Sequence, residues 1–133
     1  MKNVFILGCG LLGSSLVRRI SKKKLAKEIL IYEKSRSNIT KIKKLRLPGT
    51  IIKSLKDGVN NTDLIIFCTP MSEYKGLILK INSFISPKTL ITDIGSSVSL
   101  TGVVLTLEQD DSNKALPKVI NNIFPRLVNL QFQ

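Results

Sequence analysis

The residues best suited to chemistry form a glycine-rich stretch near the start of the chain, Gly8-Cys9-Gly10-Leu11-Leu12-Gly13. An apolar run precedes this stretch, and apolar side chains at helical spacing follow it. Glycines placed so between a strand and a helix permit a tight turn, a close approach of the main chain to a pyrophosphate, and close helix–strand packing. The free amides at the helix start attract the phosphates. We therefore expect the motif residues Gly8, Gly10, Leu11, Leu12 and Gly13 to bind a dinucleotide, although a glycine turn without a ligand is the alternative.

An acidic residue stands where such a loop requires one. Glu33 lies 20 positions after Gly13, at the end of the second predicted strand. A carboxylate there accepts hydrogen bonds from the ribose hydroxyls of adenosine and repels a 2′-phosphate, which favours NAD as the cofactor. The adjacent Lys34 and nearby Arg36 keep NADP possible, because cations accommodate that phosphate. A solvated residue at a strand end is the alternative for Glu33.

Polar residues also follow the fourth and fifth predicted strands. Open α/β sheets bind ligands beyond the carboxyl ends of their strands, so these residues are predicted to line the cofactor. They are Thr69, Pro70 and Ser72 after the fourth strand, and Asp93 with Ser96 after the fifth. For the stretch containing Asp93, an ordinary turn in which the carboxylate caps main-chain amides is the alternative.

The two cysteines are predicted to be small core residues. Cys9 and Cys68 both lie in apolar surroundings, and the chain has no histidine to activate a thiol. Two cysteines do not make a disulfide framework, which favours a reducing compartment. No signal peptide or membrane-spanning run is visible, so we expect a cytoplasmic protein that has no membrane partner. No metal site is predicted.

The net positive charge comes from the first part of the chain. Residues 1–56 carry 15 Lys and Arg against 2 Glu, whereas residues 57–133 carry 6 against 7 acidic residues. A dense positive face attracts polyanions, which makes a nucleic-acid-binding domain one alternative. The aromatic content of 5% argues against it, since a base-stacking platform needs aromatic side chains.

The hydrophobic pattern alternates between strands and helices. It predicts a Rossmann-type α/β fold, doubly wound, with a mainly parallel sheet and helices on both faces. The predicted strands are 4–7, 29–32, 50–52, 63–68 and 89–94, and the predicted helices are 11–26, 38–45 and 73–84. Residues 1–106 are expected to form this dinucleotide-binding domain. Residues 107–133, which Pro117 and Pro125 interrupt, are expected to form an atypical tail.

Taken together, the motifs resemble the prephenate and arogenate dehydrogenase family over about residues 3–98. Residues 4–16 resemble its first strand and glycine loop, and Glu33-Lys34-Ser35 resembles its usual Asp-Arg-Ser. Residues 63–72 and 92–96 resemble two later segments, which end in Pro-x-Ser and in a Thr-Asp-x-Gly-Ser turn. Other β-hydroxyacid and imine reductases share only the first of these motifs and part of the third.

This resemblance implies an NAD(P)-dependent oxidoreductase of tyrosine biosynthesis. Such enzymes oxidise and decarboxylate prephenate to 4-hydroxyphenylpyruvate, or arogenate to tyrosine, while a hydride passes to the nicotinamide. The resemblance places Ser96 beside the substrate hydroxyl as a catalytic residue. It also implies a homodimer.

The chain departs from the family pattern in its second half. The family's catalytic histidine is missing, and Val98 stands where the family has a lysine. We expect the family's helical C-terminal domain, which forms the dimer and completes the substrate pocket, to be absent, and residues 115–133 do not resemble family sequence. We therefore expect a truncated or frame-shifted fragment that is inactive alone. Another β-hydroxyacid or imine-reductase-type dehydrogenase and a non-catalytic NAD-binding module are the alternatives.

Overall fold

A computed structural model of the chain describes residues 3–86 and 88–94. The predicted catalytic Ser96 and the predicted tail at 107–133 lie outside these residues. The strands are β1 (Asn3–Leu7), β2 (Glu28–Tyr32), β3 (Thr50–Ile51), β4 (Leu64–Phe67) and β5 (Leu90–Asp93). The α-helices are α1 (Leu11–Lys22), α2 (Arg36–Lys44), α3 (Leu55–Asn60) and α4 (Tyr74–Ile81), and short 3₁₀ helices at Met71–Glu73 and Asn82–Phe84 flank α4.

The strands form one sheet in the order β3-β2-β1-β4-β5. Every neighbouring pair is parallel. β1 lies in the centre of the sheet and pairs with β2 on one side and β4 on the other. This arrangement confirms the predicted Rossmann-type α/β fold.

Side chains of the central strand alternate between two hydrophobic cores, one on each face of the sheet. Val4 and Ile6 pack in the core that α1 and α2 cover, and Phe5 and Leu7 pack in the core that α3 and α4 cover. All four side chains are at most 1% exposed. Because both faces are covered, β1 reads as an unbroken apolar run instead of an alternating pattern.

Helix α1 ends at Lys22, four residues before the predicted end. The chain leaves the helix through Lys24, which has a left-handed φ of 52°. The amide of Leu25 then donates to the Ile20 carbonyl at 3.1 Å, a bond that closes a helix end. Apolar residues continue at helical spacing beyond Lys22, so a prediction from the hydrophobic pattern alone places the end of the helix too late.

The pattern gave no indication of helix α3. Its six residues make fewer than two turns, which is too short for a hydrophobic period to show. The Ser54 side chain caps it by accepting from the Asp57 amide at 3.3 Å, and its own residue Val59 is buried in the core. Within residues 3–86 and 88–94, no helix is both long and apolar enough to cross a membrane.

Candidate functional site

The candidate site lies at the carboxyl ends of β1 and β4. These strands are neighbours, but the chain continues from β1 to β2 on one side and from β4 to β5 on the other. Such a switch point leaves a crevice where α/β sheets bind ligands. A cleft of about 850 Å³ opens here, within the range of ~300–1,000 Å³ usual for ligand pockets. Its lining includes these predicted residues: Gly8, Gly10, Leu11, Leu12, Glu33, Lys34, Thr69 and Pro70.

A smaller cleft of about 250 Å³ adjoins the first on the side of β2 and α4. The two clefts share Gly8, Glu33, Lys34, Thr69 and Glu73, so they form one continuous depression. Ser72, also predicted from the sequence, lines the smaller cleft.

Each glycine of the loop has a different steric role. Gly8 has a φ of +89°, and a Cβ there would lie 2.6 Å from Thr69 Cγ2. A Cβ on Gly13 would collide with the carbonyl oxygen of Gly8, so α1 packs directly on the main chain of the loop. A Cβ on Gly10 would meet nothing within 4 Å, because that position opens into the cleft.

The N-terminus of α1 has no side-chain cap. Gly10 is the N-cap residue, no side chain caps it, and the first turn contains no acidic residue. By contrast, Ser35 caps α2 and Ser54 caps α3 through hydrogen bonds to main-chain amides. The positive end of α1 therefore faces the cleft with amide donors available to an anion.

Leu11 and Leu12 extend into solvent from this first turn. They are 84% and 64% exposed, although leucine is usually buried. Both side chains line the larger cleft and give its wall an apolar surface. A ligand that combines phosphates with an apolar ring would match this mixture of amides and leucines.

Glu33 is held against the glycine loop by two main-chain amides. Its Oε2 accepts a hydrogen bond from the Cys9 amide at 2.7 Å, and its Oε1 accepts one from the Ser35 amide at 3.0 Å. A carboxylate oxygen has more than one lone pair, so both oxygens can accept a further hydroxyl. The carboxylate is thus oriented before any ligand arrives.

Thr69 has a polar atom without a partner at the edge of both clefts. Among the described residues, its Oγ1 is buried and makes no hydrogen bond. A buried hydroxyl without a partner costs about 1–3 kcal/mol. If the Thr69 side chain shifted on ligand binding so that Oγ1 met a polar ligand atom, this cost would fall.

Asp93 is bonded to a neighbouring tyrosine and lines neither cleft. Its Oδ2 accepts a hydrogen bond from the Tyr74 hydroxyl at 3.2 Å, and Asp93 is not among the residues that line either cleft. Burial raises the pKa of Asp93 above its ordinary value, and burial together with Asp93 raises the pKa of Tyr74 to about 12. Tyr74 therefore remains a hydrogen-bond donor at neutral pH.

Both cysteines belong to the core on the α1 side of the sheet. Burial raises the pKa of Cys9 to about 11 and that of Cys68 to about 12. The thiolate is the nucleophilic form, so these thiols are inert at neutral pH. Within the described part of the chain, no group of three or more His, Cys, Asp or Glu residues comes together as a potential metal site.

Sequence reasoning missed the contribution of α4. One face of this helix borders the smaller cleft, together with the residue that precedes it: Glu73, Gly76, Leu77 and Lys80. These positions recur every three or four residues, which is the signal that could have identified them. Asn38 and Tyr74 also line the larger cleft and belonged to no motif.

Three solved structures illustrate which proteins share this fold. The chain is similar to prephenate dehydrogenase from Aquifex aeolicus, solved with hydroxyphenyl propionate and NAD⁺, with a TM-score of 0.65 and 22% identity. It is also similar to arogenate dehydrogenase from Synechocystis (TM-score 0.62, 20% identity) and to 3-hydroxyisobutyrate dehydrogenase from Mycobacterium tuberculosis (TM-score 0.67, 15% identity). These matches cover 77%, 77% and 82% of this chain but only 38%, 37% and 37% of the other chains, respectively. At such identities they show the fold alone.

The family comparison covers all of the described residues. The model of the family described as "NADP oxidoreductase coenzyme F420-dependent" matches residues 3–96. This range contains the glycine loop, Glu33 and all five strands. Because the match extends over more than half of the chain, the chain belongs to this oxidoreductase family, and its fold is that of an NAD(P)-dependent oxidoreductase.

Proposed function

We propose that this chain is the NAD-binding part of a dehydrogenase that acts on prephenate or arogenate. The observation that carries the proposal is the cleft above the glycine loop. Gly10 opens into that cleft, and Glu33 stands beside it with a fixed carboxylate. The other cofactor-binding residues predicted from sequence, apart from Asp93 and Gly13, surround the same depression.

The cleft fits a dinucleotide in three respects. The uncapped N-terminus of α1 offers amides to a pyrophosphate, and the lack of a side chain at Gly10 lets the phosphates approach. Glu33 can accept the adenosine ribose hydroxyls, because two amides already aim its oxygens. The unpartnered Thr69 hydroxyl offers one further polar contact.

The residues of this chain would bind and orient the cofactor. A bound nicotinamide supplies the acceptor for a hydride from the substrate alcohol. Sheet order sets the direction of binding, because Glu33 follows β2 and Ile94 follows β5, on opposite sides of the β1–β4 pair. With the adenosine ribose at Glu33, the nicotinamide would lie near Ile94.

NAD is the preferred cofactor in this proposal. A 2′-phosphate on the ribose would approach the Glu33 carboxylate, whose position is fixed by Cys9 and Ser35. Lys34 and Lys80 line the same end of the depression and would offset part of that repulsion. We therefore expect NADP to bind measurably but more weakly than NAD.

The first experiment compares cofactor binding in wild type and Gly10→Ala by isothermal titration. Gly10 has φ −75° and ψ −150°, and a Cβ there touches no protein atom, so alanine should preserve the fold. The added methyl group would occupy the approach of the pyrophosphate, and NAD affinity should fall at least about tenfold, equivalent to ~1.4 kcal/mol. Folded wild-type protein that binds neither NAD nor NADP would refute the proposal.

The second experiment addresses the substrate. Prephenate, arogenate and 3-hydroxyisobutyrate would each be titrated into the chain saturated with NAD, and into a longer gene product if one is encoded. Binding or NAD reduction with prephenate or arogenate supports the proposal. A response to 3-hydroxyisobutyrate alone would favour a β-hydroxyacid dehydrogenase. If the gene encodes no longer product, NAD binding without any substrate response would favour a non-catalytic module.

A further inference from the structure

A hydrogen bond joins the start of α4 to the end of β5. Tyr74 is the first residue of α4, and its hydroxyl donates to Oδ2 of Asp93, the last residue of β5, at 3.2 Å. Tyr74 is only 2% exposed, and its bond to Asp93 is partly buried. The bond spans 19 positions along the chain and links two elements at the ligand-binding edge of the sheet.

The ring of Tyr74 is fixed on its other side by Phe67. The two rings meet edge to face, with centroids 5.3 Å apart and planes at 66°. Phe67 is the last residue of β4 and is 0% exposed. Tyr74 therefore connects the ends of β4 and β5, and its hydroxyl has a defined orientation toward Asp93.

This connection lies at the end of the cleft that is distant from Glu33. The sheet order puts β5 and β2 on opposite sides of the β1–β4 pair. Tyr74 and Ile94 both line the larger cleft, and Ile94 directly follows Asp93. The amide of Ile94 also donates to the Phe67 carbonyl at 3.2 Å, so it belongs to the same connected group.

We propose that Tyr74 is a positioning residue for the nicotinamide half of the cofactor, acting through its hydrogen bond to Asp93. The bond holds the end of β5, and with it Ile94, at the position where the nicotinamide ribose and ring would bind. This inference rests on the proposed function, since it assigns the second half of the same dinucleotide site. Asp93 itself acts as the anchor and makes no direct contact with the ligand.

The test compares NAD with ADP-ribose, which lacks only the nicotinamide. Isothermal titration would use the full 133-residue chain and the variant Tyr74→Phe. Tyr74→Phe should keep ADP-ribose affinity within about twofold and weaken NAD about three- to tenfold, the effect of one lost hydrogen bond. An unchanged NAD affinity, or an equal loss for both ligands, would overturn the inference.

The acceptor provides an independent check. Asp93→Ala should reproduce the selective loss of NAD affinity, and Tyr74→Phe should add nothing in that background. Asp93→Asn retains an acceptor oxygen and should recover most of the affinity. Additive losses, or no recovery with asparagine, would contradict a role through this bond.

Tyr32 supplies a matched control, because it is the other tyrosine of the chain and lines the smaller cleft near Glu33. Tyr32→Phe should leave the ratio of NAD to ADP-ribose affinity unchanged. A wild-type protein that binds ADP-ribose and NAD equally would overturn the inference while leaving the dinucleotide site intact. A wild-type protein that binds neither ligand would overturn the proposed function as well.

Discussion

The carboxylate of Glu33 accepts a hydrogen bond of 2.7 Å from the main-chain amide of Cys9. The two residues are 24 positions apart, and the contact ties the end of β2 to the loop that follows β1. The carboxylate that would bind the ribose hydroxyls is therefore hydrogen-bonded to the loop that would bind the pyrophosphate. A change at Glu33 should therefore affect both parts of the site.

Replacing Glu33 by glutamine should weaken NAD binding more than the loss of one charge suggests. Both carboxylate oxygens accept from main-chain amides, so one glutamine NH₂ group would face another donor. We expect about a 10- to 100-fold loss in NAD affinity, in line with ~1.5–3 kcal/mol for a hydrogen bond to a charged group. Titration calorimetry measures the affinity. Glu28→Gln, at the exposed start of β2, is the control, and an equal effect there would contradict the role of Glu33.

Gly13→Ala should destabilise the fold, whereas Gly10→Ala should not. The Cβ at Gly13 would collide with the Gly8 carbonyl oxygen, a main-chain atom that cannot move aside alone. Overpacking of this kind costs about 1–3 kcal/mol. Urea denaturation should show that loss for Gly13→Ala and a change within about 0.5 kcal/mol for Gly10→Ala. If both variants were as stable as wild type in urea, α1 would not pack as closely on the loop as the structure indicates.

Thr69→Val should stabilise the protein without ligand and weaken cofactor binding. The substitution removes a buried hydroxyl that has no partner among the described residues, so unfolding should cost about 1 kcal/mol more. NAD affinity should fall several-fold, because the ligand loses a polar contact. In the control Thr62→Val, the hydroxyl removed donates to the Asn3 carbonyl at 3.0 Å, and stability should fall. A less stable Thr69→Val protein would argue against an unpartnered hydroxyl.

The contribution of Asp93 to stability should decrease as the pH rises. Burial raises its pKa in the folded state above the ordinary 3.8, so the folded protein binds this proton more tightly than the unfolded chain does. Ionised Asp93 therefore costs stability, and the cost develops as the pH rises from about 3.8 through the raised pKa. The stability of Asp93→Asn relative to wild type should increase between acidic and neutral pH in urea titrations. A difference that does not vary with pH would be inconsistent with the raised pKa.

Neither cysteine should react readily in the folded protein. The pKa values of about 11 for Cys9 and about 12 for Cys68 leave little thiolate at pH 8. Mass spectrometry after treatment with iodoacetamide should show slow alkylation in buffer and rapid alkylation at both positions in denaturant. Fast labelling of Cys68 in buffer would indicate that the carboxyl end of β4 is more open to solvent than the structure shows.

Local chemistry explains why much of the fold was predictable. Four of the five strands are short apolar runs bounded by Gly, Pro or polar residues. The helices α1, α2 and α4 have apolar side chains at helical spacing. The glycine motif was predictable because its spacing reflects two local features, the left-handed turn at Gly8 and the close packing of Gly13 on the Gly8 carbonyl. The early end of α1 was not predictable, since a left-handed Lys24 has no reliable signal.

The sequence by itself determined the Rossmann-type sheet, the glycine loop and the acid at the end of the second strand, because these depend on the order of short patterns along the chain. Tertiary structure alone decided that Glu33 bonds to Cys9, that Thr69 has an unpartnered hydroxyl, and that Asp93 bonds to Tyr74 and lines neither cleft. Those contacts join residues that only strand pairing and helix packing bring together. The direction of a side chain at a strand end depends on which neighbour can satisfy its polar atoms, and the linear sequence does not contain that information.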